Sequence, residues 1–274
     1  MLADVNLQSV AGRIAQFHGT ASKALSTSLM RLGSGRQVQA PRDNTGYFFR
    51  SQRIDRDNAS SRVAIQELTG VLGTLSVADE LGTTIHTDLT RMKELAMLYW
   101  SSSATFEEKI AWGAEFDALA IKTTRSVQSA VYDGRQLMSD SSANPLRTAR
   151  INPADPSTII EISYGAQDVV DTSGLTITGP DRESVLAGIE AQYARASSFL
   201  GKTSAYTFGV SAQIALARTA MSSTSEFQGK IRDTDDAAEM SRMVDSSIRK
   251  QMSLAMLSQA NMYRSGVLAL VTTN

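Results

Sequence analysis

The chain has 274 residues, 42% of them apolar, enough for one large domain or two smaller ones with real cores. Its 27 Lys and Arg against 28 Asp and Glu leave a formal charge of −1, so no global field draws it to nucleic acid or an anionic membrane. The absence of cysteine excludes disulfides, thiol catalysis and cysteine–zinc centres, and 6% aromatics beside 11 Met favour closely packed helices over a large single globule.

Met1 to Ser9 carry Asp4 and lack both a basic segment and a continuous apolar run, so any export is expected to proceed without a cleaved signal peptide. Val10, Ile14, Phe17, Ala21, Leu25, Leu29 and Leu32 recur at steps of three or four and predict an amphipathic helix of about 25 residues. Gly33, Gly35 and Pro41 stop it, and Gly33 to Arg36 reads as a flexible hinge, since it lacks the GKT or GKS ending and preceding strand of a phosphate loop. A second helix is expected from Asp57 to Ser103, with Leu68, Leu72, Leu75, Ala78, Leu81, Ile85, Leu89, Met92, Leu95 and Tyr99 as its buried seam. At 1.5 Å per residue it is a rod of roughly 70 Å. Thr105, followed by Glu107 and Glu108, starts a third helix, which carries Phe106, Ile110, Trp112, Phe116, Leu119 and Val127 to about Ala130. Trp100 and Trp112 flank the break as packing anchors.

From Tyr132 the pattern changes. Tyr132-Asp133-Gly134-Arg135 is a turn signal, and Thr158 to Tyr164 and Leu175 to Thr178 are short β-branched runs, so residues 132–180 read as a small β-hairpin region. Pro145, Pro153, Pro156 and Pro180 cluster there and leave the flanks free to be helical. A fourth helix opens at Asp181, passes Leu186, Ile189, Tyr193 and Leu200, is weakened at Gly201 and Gly209, and resumes through Ile214, Leu216, Met221, Phe227 and Ile231. After the acids Asp233, Asp235, Asp236 and Glu239, the last helix carries one long stripe: Met240, Val244, Ile248, Met252, Met256, Ala260, Tyr263, Val267 and Leu270.

The expected fold is mainly α: an elongated antiparallel helical rod or coiled coil with a small β-hairpin region in the middle of the chain. Its terminal helices lie side by side. Two such helices cannot cover each other's apolar surface. With seven of their side chains left exposed, burying each at ~1.5–3 kcal/mol favours self-association. The run Val267 to Val271 is far short of the ~20 residues that span a bilayer, so no membrane insertion is expected.

Five motifs then give a family resemblance. Leu25-Ser26-Thr27-Ser28-Leu29-Met30-Arg31-Leu32-Gly33-Ser34-Gly35-Arg36 resembles the N-terminal signature of bacterial flagellins, LSTSLxRLSSGxR, with Gly33 in place of the usual Ser. Asp43-Asn44-Thr45-Gly46 stands where the family has DDAAG, and Leu89 to Ala96 is similar to LxRxRELA. Tyr132 to Leu137 resembles FNGxxLL, and Met256 to Asn261 with Val267 to Leu270 resembles MLAQAN…VLxLL. The likeness covers roughly residues 1–137 and 182–274.

The resemblance implies a short-form subunit of an extracellular flagellar filament. Residues 1–43 and 236–274 would form an inner coiled coil and residues 44–235 a rod domain with the hairpin insert at about 132–180. The implied partners are further copies of the chain in a helical homopolymer, with other flagellins, an export chaperone on the C-terminal helix, hook-associated and cap proteins, and an innate Toll-like receptor. The implied packing residues are Arg31, Leu32, Arg91, Leu95 and Glu115; Ile14, Phe17, Leu25, Leu29, Val244, Ile248, Met252, Met256, Tyr263, Val267 and Leu270 form the assembly stripe.

No enzyme chemistry is expected. His18 and His86 lack HExxH spacing, and the acids around Asp235 lack the ligand order and central Gly of a calcium loop. No nucleophile–base pair marks the insert, so neither catalytic residues nor a cofactor nor a metal is expected. A hook–filament junction protein and, further off, a secreted effector with similar export helices are the alternatives.

Overall fold

The computed structural model describes residues 2–151, 158–179 and 181–272, with side chains placed within helices from residue 9 to residue 266. The described residues form five helices and two small antiparallel sheets, a mainly α fold. The chain divides into two compact units, one of Met1–Asp55 with Ser223–Asn274 and one of Arg56–Ser222.

In the first unit α1 (Leu2–Ser34) pairs along its length with α5 (Asp236–Thr272). The connection after α1 is not the hinge expected from its glycines. Gly35 takes the left-handed φ of 66° that a side chain resists, and its carbonyl accepts from Thr234 N at 3.1 Å. Gln37 N donates to Arg232 O at 2.7 Å, and the Gln39 amide reaches Met30 O and Ser34 Oγ. The segment is pinned. Two further side chains shape the run into α2 (Thr45–Tyr99): Asp43 accepts from Gln39 N and Ala40 N, and Asn44 Oδ1 accepts from Tyr47 N. That Asn cap explains why α2 starts twelve residues before the expected Asp57. Within this unit the start of α2 meets the end of α4 (Arg182–Arg232) through Asp55, which accepts from Gln228 at 2.7 Å and pairs with Arg232 at 3.3 Å.

The second unit holds the large core. Leu68, Leu75, Ala78, Ile85, Leu89, Met92 and Leu95 of α2 are buried as the sequence stripe predicts, with Leu72, Leu81 and Tyr99 half-buried beside them. Helix α3 (Phe106–Ser129) starts with the predicted Thr105 cap in its full reciprocal form: Thr105 Oγ1 accepts from Glu108 N, and the Glu108 carboxylate accepts from Thr105 N. Phe116 and Val127 face the core, whereas Phe106 and Ile110 are exposed. Helix α4 is a single 51-residue helix. Gly201 and Gly209 do not break it, because Phe199, Thr203, Val210 and Ile214 anchor the turns on either side in the core. Gly82 is needed for close packing: a Cβ there would lie 2.7 Å from Leu200 Cδ2.

The Tyr132-Asp133-Gly134-Arg135 signal is a two-residue hairpin. Asp133 at φ 54° and Gly134 at φ 74° join β1 (Val131–Tyr132) to β2 (Arg135–Gln136), the paired positive angles that suit strand twist. Beyond it β3 (Arg147–Arg150) pairs with β4 (Ile159–Ile162), Arg147 opposite Ile162. The second expected strand, Leu175 to Thr178, does not form. Its chain turns instead, with Leu175 N donating to Thr172 O, while Thr172 Oγ1 is bound to Ala120 O. Pro153, Pro156 and Pro180 lie outside the described residues.

Asp168 ties this region to α4. Its side chain is fully buried and accepts from Ser198 Oγ at 2.6 Å, Gly165 N at 2.7 Å and Lys202 Nζ. Burial pushes its carboxyl up, but the bonds from Lys202, Ser198 and Gly165 outweigh it and hold the group below the ordinary Asp value. A depressed carboxylate stabilises the fold above the unfolded value of about 4, and that contribution is lost as pH falls through the folded value. Asp168→Asn is therefore expected to cost about 1–3 kcal/mol at neutral pH. In thermal melts its deficit should shrink towards the parent as the solution is acidified below about pH 4.

Candidate assembly surface

The α1·α5 pair is antiparallel, since Ser28 meets Glu239 near one end and His18 meets Ser253 further along. On α1 the covered residues are Ala11, Ile14, His18, Ala21, Leu25, Ser28 and Leu32; on α5 they are Glu239, Met243, Ser246, Lys250, Ser253, Leu257 and Ala260. Both sets alternate steps of three and four, the repeat of a coiled-coil seam. Small and polar side chains dominate both. The terminal pair therefore keeps Ile14, Leu25, Leu32, Met243 and Leu257 among small and polar side chains in its seam and leaves Phe17 and Tyr263 outside it.

Two polar contacts fix the seam. Glu239, 3% exposed, accepts from Ser28 Oγ at 2.6 Å and pairs with Arg242 at 3.0 Å and Arg31 at 3.8 Å. The Ser28 hydrogen bond, followed by the charges of Arg242 and Arg31, outweighs burial and keeps its carboxyl below the ordinary Glu value. At the other contact Ser253 Oγ donates its one hydrogen to Lys250 O at 2.8 Å. His18 Nδ1 lies 3.1 Å from the Ser253 oxygen.

The expected stripe lies largely outside this seam. Val244 is 49% exposed, Ile248 51%, Met252 54%, Met256 51% and Tyr263 65%, and on α1 Phe17 is 67% and Leu29 52% exposed. Ile14 and Leu25 are half-buried in the seam. The backbone of α5 runs through Val267 and Leu270, whose side chains lie outside the described residues. Met240, Val244, Ile248, Met252 and Met256 advance by four, so each step moves roughly 40° around the helix and the row winds across the side away from α1. Ile14, Phe17, Ala21, Ala24, Met252 and Met256 line an open groove along the pair.

The remaining candidates divide by exposure. Arg31 sits beside Glu239 with a side chain 24% exposed, and Leu32 is half-buried at the end of the seam. Arg91 and Glu115 form a two-pronged pair within the chain, Nε to Oε1 at 2.8 Å and Nη2 to Oε2 at 3.1 Å, with Glu94 on the same guanidinium. Hydrogen bonding to Glu115 raises the Arg91 pKa, and the reciprocal bond lowers that of Glu115. Leu95 is fully buried in the core of its own unit and offers a neighbour no side-chain surface. It can only position the helix that carries Arg91.

Sequence reading missed a second set of exposed apolars: Phe106, Ile110 and Ile121 on α3, and Phe208 and Leu216 on α4. The sequence pattern places Phe106, Ile110 and Leu216 on their helices, but helical spacing cannot by itself say which side of a helix meets a partner. Among the described residues no three His, Asp or Glu side chains gather into a metal site, and His86 lies against the Tyr193 ring at 4.4 Å. No described helix is long and apolar enough to cross a membrane.

Comparison with known proteins places this surface in a family. Residues 5–143 match the family described as the bacterial flagellin N-terminal helical region, and residues 190–271 the bacterial flagellin C-terminal helical region. The flagellin FljO of Caulobacter vibrioides is 24% identical over 272 residues, 98% of each chain, and a flagellin of Listeria innocua is 22% identical over 94% of this chain and 95% of its own. Among solved structures, a flagellar hook-associated protein of Vibrio parahaemolyticus shares the fold at a TM-score of 0.57 and 12% identity, covering 70% of this chain and 100% of its own. With both helical regions matched and relatives aligned almost end to end, the chain belongs to the bacterial flagellins.

Proposed function

We propose that this chain works as a non-enzymatic subunit that self-assembles into the extracellular helical filament of the bacterial flagellum, and that the outward stripe of the terminal pair is what its neighbours cover. The observation that carries the reading is the division of labour on α1 and α5, where small and polar side chains hold the pair while Val244, Ile248, Met252, Met256, Phe17 and Leu29 stay about half-exposed or more. Covering the rest of each such side chain contributes roughly 1 kcal/mol. These six with Tyr263, seven in all, only match the ~4–15 kcal/mol cost of association. Contacts from α3 and α4 are therefore needed too, and Phe106, Ile110, Phe208 and Leu216 are exposed for that role. Contacts between different patches, repeated through a rotation that does not close, give a filament.

In this reading residues 1–43 and 236–274 form the inner coiled coil and residues 44–235 the surrounding domain. Arg31 and Leu32 hold the end of the seam, and the pair stays weakly held until it is incorporated. Arg91 and Glu115 serve subunit packing, and the face that carries them is the one offered to an innate Toll-like receptor. An export chaperone covers the apolar row of α5 before assembly, as an amphipathic helix laid in a groove. Hook-associated and cap proteins bound the filament at its ends. The likeness to a hook-associated protein favours one second reading, a junction subunit. That protein would not form long filaments alone.

Two outcomes are expected. Salt-induced polymerisation followed by negative-stain electron microscopy should give long filaments from the intact chain and none from a chain lacking residues 240–274; no filaments from the intact chain, even with seeds, would favour the junction subunit. Arg91→Ala with Glu115→Ala should lower filament yield and filament melting temperature while barely moving the melting of the unassembled chain, because an exposed ion pair adds little to a fold. Unchanged filaments would remove both residues from the packing surface.

A further inference from the structure

Methionine is distributed unevenly in this chain. Five of its 11 Met (Met240, Met243, Met252, Met256 and Met262) lie on the 37-residue α5. Four of the five are more than half exposed: Met240 54%, Met252 54%, Met256 51% and Met262 65%. By contrast, Met92 and Met138 are completely buried in the core of the other unit. Leucine would supply the same apolar burial with better-defined rotamers, so what methionine adds at these positions is a polarizable, oxidisable sulfur.

We infer that the exposed methionines of α5 are a reversible oxidation site whose state controls whether the outward stripe can be buried in an assembly. The inference rests on the reading of that stripe as an assembly surface. The substrate class is a small two-electron oxidant, hydrogen peroxide being the simplest. The thioether sulfur gives an electron pair to one peroxide oxygen, an S–O bond forms as the O–O bond breaks, sulfur is oxidised by two electrons, and the peroxide is reduced to water. The product is a sulfoxide, polar and still uncharged. Three of the four positions, Met240, Met252 and Met256, belong to the same row as Val244 and Ile248, so one sulfoxide puts a strong hydrogen-bond acceptor into a surface that must be dried on burial. Nothing in the seam is disturbed: the covered residues of α5 include only Met243, which is half-buried. Oxidation therefore blocks assembly and leaves the α1·α5 pair and the second unit folded.

The test uses the full-length chain. Unassembled protein is treated with millimolar hydrogen peroxide, sulfoxides are mapped by mass spectrometry, and seeded filament growth is followed before and after treatment and again after incubation with methionine sulfoxide reductase. The expected map shows Met240, Met252, Met256 and Met262 oxidised while Met92 and Met138 stay reduced, with all four protected once the chain is in filaments. Growth should fall by about fivefold or more, the factor that corresponds to losing the burial of one such side chain, and recover on reduction. In a chain carrying M240L, M252L, M256L and M262L, peroxide should leave growth at that chain's own untreated rate, and a peroxide-dependent loss there would overturn the inference. Normal growth of the mapped sulfoxide form, or equal oxidation of these residues in filaments and free chain, would overturn the inference while leaving assembly itself intact. Failure of the untreated chain to polymerise would overturn the assembly reading and this inference with it.

Discussion

The structure of the first unit depends on a carboxylate that has been taken out of water. Glu239 is nearly fully covered between α1 and α5, and a charge in that position persists only if its oxygens are satisfied. Ser28, Arg31 and Arg242 satisfy them, and two of the three come from α1, the other helix. That requirement selects one register for the antiparallel pair, because a slip of one turn would remove Ser28 and Arg31 and leave the buried carboxylate with Arg242 alone. The rest of the seam follows in steps of three and four, with Ser246 and Ser253 at the positions one and two heptads on. Small side chains there bring the helices close. Phe17, Leu29, Val244, Ile248, Met252 and Met256 lie on the outside, an exposure that would be a liability in an isolated soluble chain.

The second unit is organised by different means. Its apolar core runs along α2, α3 and α4, and the irregular stretch between α3 and α4 is held by polar groups brought inside and fully paired. Tyr164 packs on Phe199 and shares a hydrogen bond with Thr203 at 2.8 Å; burial pushes its hydroxyl up to about 12. Asp168 binds Ser198 and Lys202 one turn apart on α4. A segment with only four-residue strands cannot be held by its ladder alone, and these anchors supply the missing order. The small β region is thus fixed on the helices rather than free-standing.

Much of this was legible in the sequence because helical periodicity is a direct record of which side is apolar. The α2 seam from Leu68 to Leu95, the Thr105 cap and the Asp133-Gly134 turn are local signals whose physics does not depend on distant residues. The partnering of faces is another matter. Most of the row from Met240 to Tyr263 is exposed in the chain although it recurs as regularly as a buried stripe, while the seam that meets α1 mixes Met243 and Leu257 with Glu, Ser, Lys and Ala, a row that hydrophobic patterning passes over. The sign that could have exposed it was there in the three-four alternation of Ala11, Ile14, His18, Ala21, Leu25 and Ser28 on one helix and Glu239, Met243, Ser246, Lys250 and Ser253 on the other. The start of α2 was misjudged for a related reason: Asn44 caps it by a side-chain contact, and Pro41 and the glycines before it read as a longer break than the chain makes. Leu175 to Thr178 had strand composition but no partner strand, and composition alone cannot provide one.

The central claim is that the outward row of α5 is open in the free chain and closed in the filament. It can be measured directly because the natural sequence has no cysteine to label. Val244→Cys and Ile248→Cys, each placed singly in the full chain, would be reacted with a small water-soluble maleimide before and after polymerisation. The account predicts rapid labelling of both in the unassembled chain and a fall of about tenfold or more in filaments, as expected for a site that must open locally to react. Equal labelling rates in the two states would contradict it, for the row would then be apolar, exposed and uncovered by anything the filament contains.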